Sequence, residues 1–171
     1  TLSPLDNRYF QDIRELCNIF SYQKWITYRV MVELEYFKFL NNKLNIISIS
    51  SHNIDLFCSL YQTLNESDIM EILEIEKTTH HDIKAIEYWL RNKYTQLNIG
   101  NERYLEYIHF GLTSQDINSM AFSLQLKDCL NSVLKPEMMK IGALICNLGE
   151  LWMNIPMLAL THGQPAVPTY L

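Results

Sequence analysis

The sequence predicts an all-α protein, in which an N-terminal helical domain leads into the start of a central bundle of long helices. Between Pro4 and Gly100 the chain contains neither glycine nor proline. A β-rich domain needs turn residues roughly every 8–12 positions, so this interval favours helices joined by short links. Apolar residues also recur with the helical period through most of the chain. We place the two predicted domains at residues 1–108 and 109–171.

The first predicted helix begins after Ser21, a residue type that caps helix N-termini well, and it runs to about Leu40. Its apolar stripe is predicted to consist of Trp25, Tyr28, Val32, Tyr36 and Phe39. The polar residues 42–51 then predict a loop, although the isoleucines among them also allow a short extended piece.

Three further helices are predicted in the N-terminal domain. One begins at Ser51 or Asn53 and reaches about Leu64, and Asn65 caps the next. After a polar cluster, Asp82 opens a helix with apolar residues at spacings of three, four and seven, namely Ile83, Ile86, Leu90 and Leu97.

A connector from Gly100 to about Tyr107 separates these helices from two longer ones. A helix from Ser114 is apolar around much of its circumference, which predicts burial on more than one side. Pro136 is expected to kink or restart it, after which the apolar seam continues to Asn154. This seam is wider than so short a chain covers, and it therefore predicts partner helices.

Bulk composition excludes several classes of protein. The net charge is −5 and no basic run occurs, which argues against nucleic acid as a partner. No stretch is apolar for long enough to span a membrane. No two of the four cysteines lie within four residues of each other, so neither a zinc pair nor a redox CxxC motif is present. We expect no metal, and the cytoplasm is the expected compartment.

Three polar clusters fall at the breaks between helices, at residues 77–82, 109–116 and 161–171. In the last, His162 precedes a glycine and two prolines, which restrict the backbone that carries the imidazole. Imidazole titrates near pH 6.5 and transfers protons at neutral pH. In the middle cluster, Thr113 and Ser114 precede Asp116 at a helix start. This pattern is typical of a helix cap, and it is also compatible with anion binding.

The first cluster contains the adjacent residues His80, His81 and Asp82. Adjacent residues do not share a helix face, and no third ligand stands at a suitable spacing, so a zinc site is not predicted. Anion binding by His81 at the N-terminus of the following helix is the favoured interpretation. Arg8 and Tyr9, near the start of the chain, have little meaning alone, although arginine suits phosphate.

Taken together, four motifs in order resemble those of the adenylosuccinate lyases, within the fumarase/aspartase superfamily. They are residues 3–9 (Ser-Pro-Leu-Asp-Asn-Arg-Tyr), 78–83 (Thr-Thr-His-His-Asp-Ile), 109–118 (His-Phe-Gly-Leu-Thr-Ser-Gln-Asp-Ile-Asn) and 161–169 (Thr-His-Gly-Gln-Pro-Ala-Val-Pro-Thr). The resemblance covers essentially the whole chain. The chain departs from the family pattern at four positions, which are Asn7, His80, Leu160 and Val167.

The resemblance implies a cofactor-free β-elimination that releases fumarate from adenylosuccinate, giving AMP, and from the succinylated imidazole-carboxamide ribotide of purine synthesis. It implies that His162 is the general acid and that Thr113 and Ser114 hold a succinyl carboxylate, with Thr161 and Gln164 also binding substrate. The remaining implied contacts lie on the ribose-phosphate side, and they are Arg8, Tyr9, His80, His81 and Asp82. Family members are homotetramers that combine residues from several subunits in each site.

One family feature does not occur here. The loop Ser-Ser-x-Met-Pro-x-Lys-x-Asn, whose serine is taken to be the general base, is absent from the sequence. We therefore expect an N-terminal piece of a longer enzyme that is inactive alone. Two alternatives stay open at this point. One is another fumarate-releasing lyase, such as argininosuccinate lyase, and the other is a non-catalytic helical interaction module.

Overall fold

The computed structural model describes residue 5 and residues 7–170. In chain order, its elements are α1 (Phe10–Phe20), α2 (Tyr22–Asn42), α3 (Ser51–Cys58), α4 (Leu60–Thr63), α5 (Glu66–Thr79), α6 (Asp82–Gln96), a 3₁₀ segment (Glu102–Tyr107), α7 (Ser114–Cys129), a π-helical segment (Leu130–Leu134), α8 (Lys135–Trp152), β1 (Pro156–Thr161) and β2 (Gln164–Tyr170). The predicted helical class is confirmed, with one small antiparallel hairpin in addition. Among the described residues, no helix combines the length and the apolar composition that crossing a bilayer requires.

Polar caps set the helix starts, as the sequence predicts. The Ser21 hydroxyl accepts a hydrogen bond from the Lys24 amide at the start of α2. Asn65 forms a capping box at the start of α5, because its side chain accepts from the Asp68 amide and the Asp68 carboxylate accepts from the Asn65 amide. Where one helix was expected to reach about Leu64, the structure has two short ones, α3 and α4.

The predicted apolar stripe of α2 is wrong. Its aromatic members are only half-buried, and Phe39 is 44% exposed. The buried face of α2 instead consists of Ile26, Arg29, Val30, Glu33, Leu34, Phe37, Leu40 and Asn41. Two charged residues interrupt this face in the sequence, so its helical period is hidden and the neighbouring aromatic stripe looks more regular.

The core of the N-terminal helices forms around α2 and α6. Phe37, Phe57 and Tyr94 meet edge to face, with ring centroids 5.5 to 6.1 Å apart. Trp89 and Leu90 of α6 are also almost fully buried. This core fixes α2 and α6 firmly against each other, and both helices carry residues of the site described below.

The chain divides into two compact units, of which the first ends at Asp128 and the second begins at Cys129. The division does not test the domain boundary predicted after residue 108, which stays a prediction. Helix α7 buries Ile117, Ala121 and Gln125, whereas Met120 is 57% exposed. Among residues 7–170 this helix has one buried face, and the burial of a second face by partner helices stays a prediction.

The second unit contains α8 and the hairpin. Pro136 lies in the first turn of α8, directly after the π-helical segment, so the helix restarts there as predicted. None of the residues of α8 is buried. The strands β1 and β2 were not predicted, because Pro165 and Pro168 in β2 argue against a strand. Both strands of a two-stranded sheet are edges, where proline is tolerated.

Candidate active site

The first corner of the candidate site is the N-terminus of α6, where His81 is the N-cap residue. Its Nδ1 accepts a hydrogen bond from the Lys84 amide at 3.1 Å. An imidazole nitrogen that accepts from an N–H carries no proton of its own. The ring proton of His81 is therefore on Nε2, and the capping bond fixes the ring position.

The second corner is the N-terminus of α7, which His81 contacts directly. His81 Nε2 lies 3.2 Å from Ser114 Oγ. Because Nε2 donates this hydrogen bond, the serine oxygen accepts it, and the hydroxyl hydrogen of Ser114 stays available to a ligand. This contact joins two polar clusters that are 33 residues apart in the sequence.

Thr113 and Asp116 form the cap of α7. Asp116 Oδ2 accepts from the Thr113 amide at 2.8 Å and from the Thr113 hydroxyl at 2.9 Å. These two bonds hold the pKa of Asp116 below its ordinary value, and the bond from the Thr113 amide has the larger effect. Of the predicted capping box, the bond from the Thr113 amide back to the Asp116 carboxylate is therefore present. Since the Thr113 hydroxyl already donates to Asp116, Ser114 supplies the available hydroxyl donor at this corner.

Asp82 is held by an arginine that the sequence analysis did not identify. Its Oδ2 pairs with Arg29 Nη2 at 2.8 Å, and the Arg29 side chain is only 7% exposed. Arg29 Nε also donates to Asn118 Oδ1 at 3.0 Å, and its guanidinium lies 4.3 Å from the ring centroid of Trp25. Arg29 thus connects α2 to the first turn of α6 and the second turn of α7, and it positions the two corners relative to each other.

His80 is not part of this contact network. It is the C-cap of α5 in the left-handed conformation, with φ 50°, and its amide donates to the Glu76 carbonyl at 2.8 Å. It borders a separate cavity of about 560 Å³, lined also by Tyr22, Leu73, Glu76 and Lys77. Burial, and secondarily the Glu76 carboxylate, raises the pKa of Tyr22 there. The adjacent histidines 80 and 81 therefore have different surroundings.

Arg8 and Tyr9 lie in the turn before α1, and both are exposed. The Arg8 guanidinium is 5.3 Å from the Tyr9 ring centroid, which is a cation–π distance. Within residues 7–170, no hydrogen bond or ion pair connects this pair to His81 or Ser114. Three other residues of the N-terminal motif, Ser3, Pro4 and Asp6, lie outside the described part of the chain.

A buried carboxylate that the sequence analysis missed contacts the start of the third motif. Glu33 Oε1 lies 2.5 Å from His109 Nδ1, and none of the Glu33 side chain is exposed. Burial raises the pKa of Glu33, while the hydrogen bond to Glu33 raises the pKa of His109. The signal that reveals Arg29 and Glu33 in the sequence is a pair of charges, four residues apart, inside an otherwise apolar helix stripe.

The predicted acid lies in the second unit, at the tip of the hairpin. His162 and Gly163 are the central residues of a two-residue turn between the paired Thr161 and Gln164, with φ 52° and 77°. Positive φ at both positions indicates a type I′ turn. All four residues are exposed. The imidazole is therefore held on a tight turn and is accessible to a substrate.

The curated proteins to which this chain is similar in sequence include several adenylosuccinate lyases. The chain is 41% identical to adenylosuccinate lyase of Dictyostelium discoideum and 38% identical to that of Legionella pneumophila (strain Corby), over 98% of its own length and 37% of theirs. It thus spans a little over a third of these relatives. The solved fumarate lyase from Mesorhizobium sp. BNC1 matches 94% of this chain and 34% of its own, with a TM-score of 0.68 and 22% identity, which shows the fold alone.

A family model also matches almost the whole chain. The model described as "Lyase" covers residues 15–171, which include α2, both corners of the candidate site and the hairpin. The order of helices, the capped corners and this match agree with one another, and the chain belongs to the lyase family.

Proposed function

We propose that this chain is part of an adenylosuccinate lyase, which releases fumarate from adenylosuccinate and from the succinylated imidazole-carboxamide ribotide. The observation that carries the proposal is the contact between His81 and Ser114, which unites two of the family-like motifs in one corner. The identity to adenylosuccinate lyases, 37–41% across 98% of the chain, supports this substrate over others.

The chemistry of this corner suits an anionic group of the substrate. The N-termini of α6 and α7 meet at this corner through the contact between His81 and Ser114, and helix N-termini favour carboxylate or phosphate. The carboxylates already present are occupied, because Asp82 pairs with Arg29 and Asp116 accepts from Thr113. Ser114 then donates to a substrate carboxylate, while Asp82 acts by positioning.

In the proposed mechanism, His162 protonates the departing nitrogen of the purine precursor as the C–N bond breaks. General acid catalysis of this kind is worth about 10²–10⁴ in rate. His81, Arg8, Tyr9 and His80 are assigned to the ribose-phosphate side of the substrate, and Thr161 and Gln164 bind beside the acid. We assign the general base to a residue outside this sequence. The active assembly is proposed to be a homotetramer in the cytoplasm.

The test is fumarate release by the full-length protein that carries this chain. We expect release from adenylosuccinate and none from argininosuccinate under the same conditions. Release from argininosuccinate alone favours the other fumarate-releasing lyases, and release from neither favours a non-catalytic module. Ser114→Ala is expected to raise KM for adenylosuccinate about tenfold, because one hydrogen bond to a charged group is lost. Ser123→Ala, on the same helix, is the control.

A further inference from the structure

Glu33 is an anomaly among the buried groups of this chain. It lies in the middle of α2 with its side chain fully buried, and Oε1 contacts His109 Nδ1 at 2.5 Å. Its second oxygen, Oε2, is buried without a hydrogen-bond partner among the described residues. A buried carboxylate oxygen without a partner is costly, so its retention requires an explanation.

The charges around this pair come from α6 and α7. Lys84 and Glu87 of α6 bind each other at 2.7 Å, and Glu87 also accepts from Arg91 at 3.1 Å. Glu87 disfavours the charged form of Glu33 and favours that of His109, whereas Lys84 opposes the charge on His109. His109 in turn stabilises the carboxylate of Asp116 on α7. The pair therefore has charges of both signs around it, and the hydrogen bond to Glu33 is the largest influence on the pKa of His109.

The protons of the pair determine what the other ring nitrogen does. When Glu33 and His109 together hold two protons, one lies between Oε1 and Nδ1. The second is then on Nε2, whether the shared proton belongs to the acid or to the ring. Nε2 is a donor in both cases. It becomes an acceptor only when the pair loses a proton, and the raised pKa of His109 moves that loss to higher pH.

His109 lies close in sequence to the Thr113–Ser114 corner and is partly exposed. Its backbone is left-handed, with φ 63°, and its carbonyl accepts from the Leu112 amide in the turn that leads to Thr113. About 16% of the side chain stays exposed. Nε2 has no hydrogen-bond partner within the part of the chain that the structure describes. The ring is thus anchored on one side and open on the other, four residues before the Thr113–Ser114 corner.

We propose that Glu33 is a positioning residue, which binds His109 Nδ1 so that Nε2–H is presented as a donor to an anionic substrate group at the Thr113–Ser114 corner. The proposal rests on the proposed function. The group is a carboxylate or a phosphate, which share this chemistry and are separated by the choice of probe. Glu33 itself touches no substrate and acts only through His109.

The test uses Glu33→Gln in the full-length protein, with AMP as the phosphate probe and fumarate as the carboxylate probe. The amide keeps the size of the side chain but removes the acid that retains the proton. We expect the Kd of one probe to rise about 10- to 100-fold at pH 8, the range for a hydrogen bond to a charged group. At pH 5.5 the ratio of variant to wild-type Kd is expected to approach one, because His109 is then protonated without Glu33.

Glu35→Gln is the matched control, since it makes the same change on the same helix at an exposed position. It is expected to leave both Kd values unchanged. An unchanged Kd for both probes in Glu33→Gln, or an equal loss at pH 5.5 and pH 8, overturns the proposal. A merely structural role of Glu33 predicts the equal loss, so the pH profile separates the two.

A second measurement covers the case in which Glu33→Gln does not fold. In the wild-type protein, ¹⁵N NMR of the histidines is expected to show His109 Nε2 protonated at pH 7.5, and an unprotonated Nε2 contradicts the proposal. The two hypotheses also fail separately. If the wild-type protein does not cleave adenylosuccinate, the proposed function fails. If it does, while Glu33→Gln binds both probes normally, only the role of Glu33 is lost.

Discussion

Two histidines of the candidate site use Nδ1 differently because their immediate partners differ. His81 Nδ1 accepts from the Lys84 amide, whereas His109 Nδ1 contacts the Glu33 carboxylate, which raises the pKa of His109. Next to His81, the hydroxyl of Ser114 keeps its hydrogen free. At this scale a single hydrogen-bond partner determines whether a ring nitrogen donates or accepts.

The Glu33–His109 pair predicts that stability depends on pH. Burial raises the pKa of Glu33, and the hydrogen bond to Glu33 raises that of His109, so the folded protein binds more protons than the unfolded chain. The stabilising contribution of His109 is complete below its unfolded pKa, near 6.5, and is lost as pH rises through the folded value. We therefore expect the free energy of unfolding to fall as pH rises through this window.

Chemical denaturation of the full-length protein at pH 6, 7 and 8 measures this slope. Glu33→Gln is expected to flatten it, while Glu35→Gln keeps it. Equal slopes in the wild type and in Glu33→Gln would show that the pair does not hold the extra proton.

Sequence reasoning identified the polar clusters at helix starts, and it missed the residues whose contacts are tertiary. His81 and Ser114 belong to recognisable clusters at helix starts, so their positions follow from capping patterns. Arg29 and Glu33 lie in the middle of α2, where a charged residue is normally on the surface. Only the packing of α2 against α6 and α7 shows that both are buried.

At the scale of elements, the helix starts were predictable and the hairpin was not. Ser21 and Asn65 cap helices through bonds that span three residues, which the sequence displays directly. The strand β2 contains Pro165 and Pro168, and its pairing with β1 depends on a turn whose positive φ values the sequence does not state. His162 was therefore predicted at a break and not at the tip of a hairpin.

The hairpin turn predicts a specific sensitivity at Gly163. Its φ is 77°, and an added Cβ meets no atom within 4 Å, so Gly163→Ala introduces backbone strain and no clash. This strain costs roughly 1–2 kcal/mol, and we expect a lower unfolding midpoint of the full-length protein. Gly149→Ala, within α8 and also free of contacts, is the control. It is expected to be neutral or to stabilise the helix by up to about 1 kcal/mol. Equal effects of the two substitutions would contradict the type I′ turn.

At the scale of the whole molecule, the described residues of the second unit, 129–170, include one buried side chain, Cys129, and form no hydrophobic interior. Five large apolar residues of α8 that are 58–71% exposed are Met138, Ile141, Leu144, Ile145 and Leu151. So extensive an apolar surface is rare on a monomer, and it supports the proposed assembly. The apolar seam was visible in the sequence, and its covering by partner helices stays a prediction.

This surface predicts that charge on α8 weakens assembly. Ile145→Glu in the full-length protein places a carboxylate on a residue that is 63% exposed in the isolated chain. We expect light scattering to give a lower mass than the wild type, because burying an unpaired charge is strongly unfavourable. Asn147→Glu adds the same charge at a polar position and is expected to preserve the mass. An unchanged mass for Ile145→Glu would show that α8 is not covered by another subunit.

The most direct test of the account is the turnover of adenylosuccinate by His162→Asn in the full-length protein. Asparagine tolerates the positive φ of 52° at this position, so the hairpin is retained while the titrating group is lost. His52→Asn, at an exposed position on α3, controls for the loss of an imidazole elsewhere. We predict a fall in kcat of about 10²–10⁴ for His162→Asn and none for His52→Asn. Wild-type turnover by His162→Asn would contradict the assignment of the acid and, with it, the proposed mechanism.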